Sequence, residues 1–340
     1  MQAGKKVKPV SRSHAAIKWR KMPLMRYFVL VFLLVAASAR PQVMQNTNYQ
    51  HELEHARALL AGTTPTDAPH HVHYDLKFYD RNGHEGTATY DVYRDPIMYE
   101  RTEIKADDYQ FTQISDVRNH TVWQQYTGDK PLKVAGFEQA VQMPMAAINR
   151  LAREPERVGN MELQAFEKMP LLCANDHAGT AVCFNPLIHL FSFAQMFNQT
   201  VMYDNWLPVG SHTVPGTVRI YEDKKLLLQA TATVEMVKKF PPHLMEIPQT
   251  PSQPDPVSRH KIVQREEMEL TQARFGDVAM RLSVDEKGHV TKVAVLDSDD
   301  KHIEGPAKKF AQHLVYEPEV ENGHPVPFET VIYVEYYPFF

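Results

Sequence analysis

The sequence predicts an α+β protein in two parts: an antiparallel β-rich body curled around helices, and a small C-terminal module of strand, strand, helix, strand. Three observations carry the prediction. Apolar and polar residues alternate at hairpin spacing from residue 71 to 126, and strands recur as far as 237. Pro241, Pro242, Pro248, Pro251, Pro254 and Pro256 then crowd Phe240–His260. Beyond them, Gly276–Tyr336 contains a complete set of strand, turn and helix signals. The boundaries that follow are a leader over 1–39, a β-rich body over 40–239, a linker over 240–260 and a module over 261–340.

The leader comes first. Residues 1–50 hold nine Lys and Arg and no Asp or Glu, and Tyr27–Ala37 is an unbroken apolar run. A basic flank, about ten apolar residues and Ala37-Ser38-Ala39 read as an export signal cleaved after Ala39. The run is short of the roughly 20 residues a spanning helix needs. Kept uncleaved as an anchor, residues 24–39 would be the chain's contact with the membrane. Met22 and Met25 offer later starts to the long basic flank, and no Cys follows the run to accept a lipid. Losing residues 1–39 and their eight positive charges takes the formal charge from −4 to −12. So acidic a body excludes a nucleic-acid partner, because phosphate contacts need clustered Lys and Arg. Export also exposes Cys173 and Cys183, the two cysteines, to an oxidising compartment. Their ten-residue spacing suits a disulfide closing a hairpin, worth about 2–3 kcal/mol by loop closure. A two-cysteine metal or redox site lacks the Cys-x-x-Cys spacing.

Within the body, Asn48–Gly62 reads as a short amphipathic helix with Leu53, Ala56, Leu59 and Leu60 on one side. It holds His51-Glu52-Leu53-Glu54-His55, which fits the H-E-x-x-H pattern of zinc peptidases. Glu54 puts a charge where that helix is normally apolar, the motif precedes any core, and no third ligand stands at a recognised spacing. His70, His71 and His73 could supply one, which leaves a surface metal site open as the alternative to catalysis. No catalytic, cofactor or metal residue is assigned. Strands are expected over His71–Tyr79, Thr87–Tyr93, Met98–Ile104, Tyr109–Ile114 and Thr121–Tyr126, with a turn at Asp80-Arg81-Asn82-Gly83. A helix over Phe137–Leu151 follows, its Met143, Met145 and Ile148 read as core. Further strands are expected at Glu162–Phe166, Thr180–Phe184, Thr217–Glu222 and Lys225–Val237. The proline-dense linker predicts an extended tether of about 3.1 Å per residue between independent domains.

In the module, Val278, Met280, Leu282 and Val284 alternate with Asp277, Arg281 and Ser283. Asp285-Glu286-Lys287-Gly288 turns the chain into His289–Leu296. Asp299 and Asp300 can cap a helix carrying Ala307, Phe310, Ala311 and Leu314 at i, i+3, i+4 and i+7. After the Asn322-Gly323 turn, Phe328, Thr330, Ile332, Val334 and Tyr336 share one face of a last strand.

These words resemble the C-terminal domain of TonB-type energy transducers over about residues 262–340. The resemblance rests on Gly276-Asp277-Val278, on Val284-Asp285-Glu286-Lys287-Gly288-His289-Val290 and on Tyr316-Glu317-Pro318 through Gly323-His324-Pro325-Val326. The family's Tyr-Pro pair ahead of the first strand is absent from Met268–Phe275. The resemblance implies a ββαβ domain, a periplasmic location or an inner-membrane one facing the periplasm, and envelope proteins as partners, TonB-dependent outer-membrane transporters among them. It also implies strand addition along Glu329, Thr330, Val331, Ile332, Tyr333, Val334 and Glu335, with backbone supplying affinity and Val331, Tyr333 and Glu335 supplying selection. The same edge read otherwise is a homodimer contact, or is covered by the β-rich body. Residues 70–238, through Gly86–Tyr93, Met98–Arg101 and Asn119–Trp123, are more loosely similar to the half-barrels of LolA/LppX-type periplasmic lipoprotein carriers. That likeness implies an apolar ligand held in a concave sheet. No G-x-x-x-x-G-K, G-x-G-x-x-G or G-x-S-x-G occurs in a fitting context, so a non-enzymatic role without cofactor is expected.

Overall fold

The computed structural model describes residues 54–60, 68–153, 162–166, 169–175, 180–185, 187, 190–196, 198–254, 260–265, 274 and 276–336. All of them fall within one compact unit, Val43–Phe340. The leader, the His51–Leu53 part of the H-E-x-x-H motif and residues 255–259 of the linker lie outside the described residues. Among the described residues no helix is long and apolar enough to cross a membrane.

The body is one open, curled antiparallel sheet of twelve strands. Its first meander runs through β1 (His70–Tyr79), β2 (Glu85–Arg94), β3 (Tyr99–Ala106), β4 (Gln110–Asp116) and β5 (Thr121–Thr127). Helix α1 (Leu132–Arg153) crosses to the second: β6 (Glu162–Phe166), β7 (Met169–Asn175), β8 (Thr180–Asn185), β9 (Leu190–Met196) and β10 (Gln199–Asp204). A small hairpin of β11 (Leu207–Val209) and β12 (His212–Val214) precedes β13 (Thr217–Glu222) and β14 (Lys225–Met236). The meanders meet at the centre, where β1 pairs with β14 in the register Leu76↔Ala230. The edges are β5 and β6.

Alternation places Val72, Tyr74 and Leu76 of β1 in the core, where α1 fills the concavity. Phe137 of α1 is fully buried and meets Tyr74 and Tyr90 edge-on at 5.1 and 5.4 Å. Tyr203 donates to the Ala140 carbonyl at 2.7 Å, which satisfies a hydroxyl that could not otherwise be buried cheaply. Residues 54–60 are helical, as the leucine spacing predicts, and Ala56 joins this core.

Strands β7, β9 and β10 lie where the sequence pattern predicts none. Leu171, Leu172, Cys173 and Ala174 are all buried, so both faces of β7 are covered and the period-two signal vanishes. Cys173 and Cys183 face each other across β7 and β8 and form a disulfide.

The linker corrects the picture of a free tether. Phe240 packs edge-on against Tyr93, α2 (Pro242–Met245) buries Met245, and Arg101 donates to the Leu244 carbonyl at 2.9 Å. Residues 250–253 then lie along β5: Trp123 Nε1 donates to the Thr250 carbonyl at 2.9 Å, and the Gln253 amide donates to the Gln124 carbonyl at 2.9 Å. Prolines here stiffen a strap, and the sheet's open edge supplies its hydrogen bonds.

The module opens with β15 (Ile262–Gln264), which pairs with β18 (Val315–Tyr316). Its main sheet runs β17 (Val290–Ser298), β16 (Gly276–Val284), β21 (Phe328–Tyr336), with α3 (Lys301–Gln312) packed on one face. Asp300 caps α3 by accepting from the His302 amide. Gly288 has φ of 86°, and a Cβ there would stand 2.0 Å from the Tyr316 carbonyl oxygen, so the turn admits glycine alone. A hairpin of β19 (Glu319–Glu321) and β20 (His324–Val326) turns at Asn322-Gly323.

Candidate functional site

The site read from the sequence is the outer edge of β21. The register with β16 pairs Val331 with Arg281, Tyr333 with Ala279 and Glu335 with Asp277. Among the described residues β21 has β16 on one side and no strand on the other. Thr330, Ile332 and Val334 turn inward to the module core. Glu329, Val331, Tyr333 and Glu335 therefore point the other way, toward the body.

That face is not empty. The Tyr333 hydroxyl donates to the Lys130 carbonyl at 2.6 Å, and Gln139 of α1 donates to Glu335 at 3.2 Å. Arg281 pairs with Asp129. Beside these contacts a groove of about 370 Å³ opens along β21, lined by Tyr126, Lys130, His260, Arg281, Glu329 and Val331 among others. Two of the three side chains assigned to selection, Tyr333 and Glu335, are thus engaged by the chain itself. Val331 and the groove walls remain for an incoming segment.

Beneath the face lies a buried charge cluster that holds the module on the body. Lys133, in the first turn of α1, is 4% exposed. Its ammonium lies 2.6 Å from Asp299 Oδ1 and 3.5 Å from Asp297 Oδ2, and donates to the Ser298 carbonyl. Arg81, in the β1–β2 turn, donates its amide to Asp297 at 2.8 Å and pairs with Glu304 at 3.1 Å. Burial would lower the Lys133 pKa, but the two carboxylates hold it above its ordinary value. Asp277 is the group left over. Its amide donates to Asp299, but its Oδ1 is buried with no hydrogen-bond partner. Burial first, then the charges of Asp299 and Glu335, push its carboxyl up to about 8, with Lys133 opposing. Glu222 on β13 is pushed up to about 7 by burial and by Asp300, Asp299 and Asp223. This junction therefore carries two acids poised to be protonated near neutral pH.

The local sequence pattern marks Asp299 and Asp300 only as helix caps and marks no role for Lys133. A lone cation in the apolar stretch Leu132–Ala135 was the available signal.

Residues 267–338 match the family described as the Gram-negative bacterial TonB protein C-terminal. The module is thus similar to a TonB-type C-terminal domain. The rest of the chain lies outside that match, and no curated protein matches the chain. Among solved structures, a DUF1329 family protein from Desulfovibrio piger is similar at 7% identity and a TM-score of 0.35, over 58% of this chain and 96% of that one. A putative outer membrane lipoprotein-sorting protein domain from Vibrio parahaemolyticus is similar at 5% and 0.34, over 57% and 94%. A LolA superfamily protein from Nitrosomonas europaea is similar at 10% and 0.30, over 58% and 97%.

Proposed function

We propose that the chain is an exported, non-enzymatic envelope protein whose TonB-type domain takes an extended peptide from an envelope partner as a strand along β21. The observation that supports this is the one-sided pairing of β21 beside an open groove. An edge strand offers unpaired backbone donors and acceptors, and a groove next to it gives the added strand's side chains somewhere to lie. The partner class is a protein of the cell envelope, with TonB-dependent outer-membrane transporters as the finer reading, and the setting is the periplasm. In this mechanism the body acts as the platform: it holds Tyr333 and Glu335 and supplies Tyr126 and Lys130 to the groove.

The carrier reading gains less support. Where α1 covers the concave sheet, the space holds the rings of Tyr74, Tyr90, Phe137 and Tyr203.

Hydrogen–deuterium exchange on the mature chain tests the proposal. Peptides from the periplasm-facing extensions of such transporters should slow exchange across Phe328–Tyr336 while leaving the central strands of the body unmoved. Exchange across β21 that is indifferent to saturating peptide would sink it.

A further inference from the structure

A second cluster lies on the face of the body's sheet opposite its core. His71 and His73 stand two apart on β1 and so share a face, opposite the one that sends Val72 and Tyr74 into the core. Asp91 on β2 lies directly across from His73 and is 7% exposed. Nε2 of His71 and Nδ1 of His73 both lie 2.7 Å from one atom, Asp91 Oδ1. The three potential ligand atoms fall within 4.8 Å of one another.

Both rings are also oriented from behind. His71 stacks on Tyr93 with centroids 4.1 Å apart and planes 4° from parallel. The far nitrogen of His73, Nε2, lies 3.3 Å from Asp75 Oδ1. A carboxylate on the non-ligating nitrogen of an imidazole is the arrangement that fixes tautomer and direction in metal sites. A pair of histidines needed only to bury one aspartate does not require it.

We propose that His71 Nε2, His73 Nδ1 and Asp91 form a divalent transition-metal site with a preference for zinc(II), with Asp75 orienting His73. Tetrahedral zinc with bonds of about 2.0–2.1 Å sets its ligands about 3.3 Å apart. The 2.7 Å contacts would open by about half an ångström, within reach of side-chain torsions. Each imidazole binds neutral, carrying its proton on the other nitrogen, which for His73 is the one facing Asp75. Two imidazoles and one carboxylate favour zinc over magnesium or calcium, which take oxygen. Both histidine side chains are partly exposed, 21% and 29%, so a fourth position stays open to water or to a donor from a partner.

The test uses the untagged mature chain, stripped with chelator and titrated with zinc chloride against a chromophoric competitor. One zinc per chain is expected, with His71→Ala and His73→Ala each weakening binding at least tenfold and Asp75→Asn by about tenfold. Cobalt(II) should give the visible absorption of a four-coordinate site that zinc displaces, a readout on the unaltered chain. The H51A/H55A double variant should leave all of this in place. The inference is overturned if the stripped chain binds no zinc, if His71→Ala with His73→Ala leaves affinity unchanged, or if loss follows only the His51 and His55 changes.

Discussion

Two sheet edges in this molecule are treated in opposite ways. Along β5 the chain adds its own residues 250–253: Gln253 pairs with the Gln124 backbone, its side-chain oxygen takes the Tyr126 amide, and Trp123 reaches the Thr250 carbonyl. On the outer side of β21 the described residues place no strand, although the body approaches closely enough to bond Tyr333 and Glu335. The first edge is partly covered by the chain's own segment, through one backbone bond and several side-chain bonds, where the second is proposed to offer its backbone to a partner. An unpaired edge is a liability that proteins ordinarily cover. β6 and β17 are edges too, and what sets β21 apart in the proposal is the groove beside it.

The comparison breaks most severely if the module leaves the body. Lys133→Met should cost about 3–5 kcal/mol, because it strands Asp297 and Asp299 buried without their cation. Denaturant melts would report the loss, and faster exchange across β17 would locate it. Removing the disulfide that staples β7 to β8 near the sheet's far edge should cost about 2–3 kcal/mol. That loss should leave exchange in β21 unchanged.

The junction should also weaken as pH rises. Asp277 and Glu222 have folded-state values of about 8 and about 7, above their unfolded ones, so the folded state binds more protons between. Their stabilising contribution is complete below the unfolded values and drains away from about pH 4 to about pH 8. Melting temperature should fall over that window, and Asp277→Asn should flatten the fall. The smallest effect is Tyr333→Phe, about 1 kcal/mol for one hydrogen bond to the Lys130 carbonyl. It sharpens the comparison: peptide should then bind β21 at least as tightly, because the backbone edge is kept while its tie to the body is cut.

Much of the fold was legible because it is written in local periods. The first strand of the module's main sheet, Gly276–Val284, has the bounds its alternation predicts, and Asp300 caps the helix expected of it. Strands β7, β9 and β10 were not legible, since continuous burial of Leu171 through Ala174, of Leu190 through Ala194 and of Val201 through Tyr203 erases alternation. The edge at Glu329–Glu335 was visible as a strand with an inner face, but nothing local reveals that Tyr333 lies against Lys130, 203 residues away. His71 and His73 show their shared face in the sequence. Asp91 joins them only through the β1–β2 register.

What the sequence determined by itself is therefore whatever depends on neighbours within a turn or a hairpin: the strands that alternate, the helix caps, the Gly288 turn and the words of the TonB-type domain. Tertiary structure decided which edge the chain straps and which it leaves open, turned a proline-rich tether into that strap and buried Lys133 between Asp297 and Asp299. Those outcomes depend on backbone groups and charges that meet across 100 residues or more. Their energies come from desolvation and hydrogen bonding at the meeting point, which no local pattern encodes.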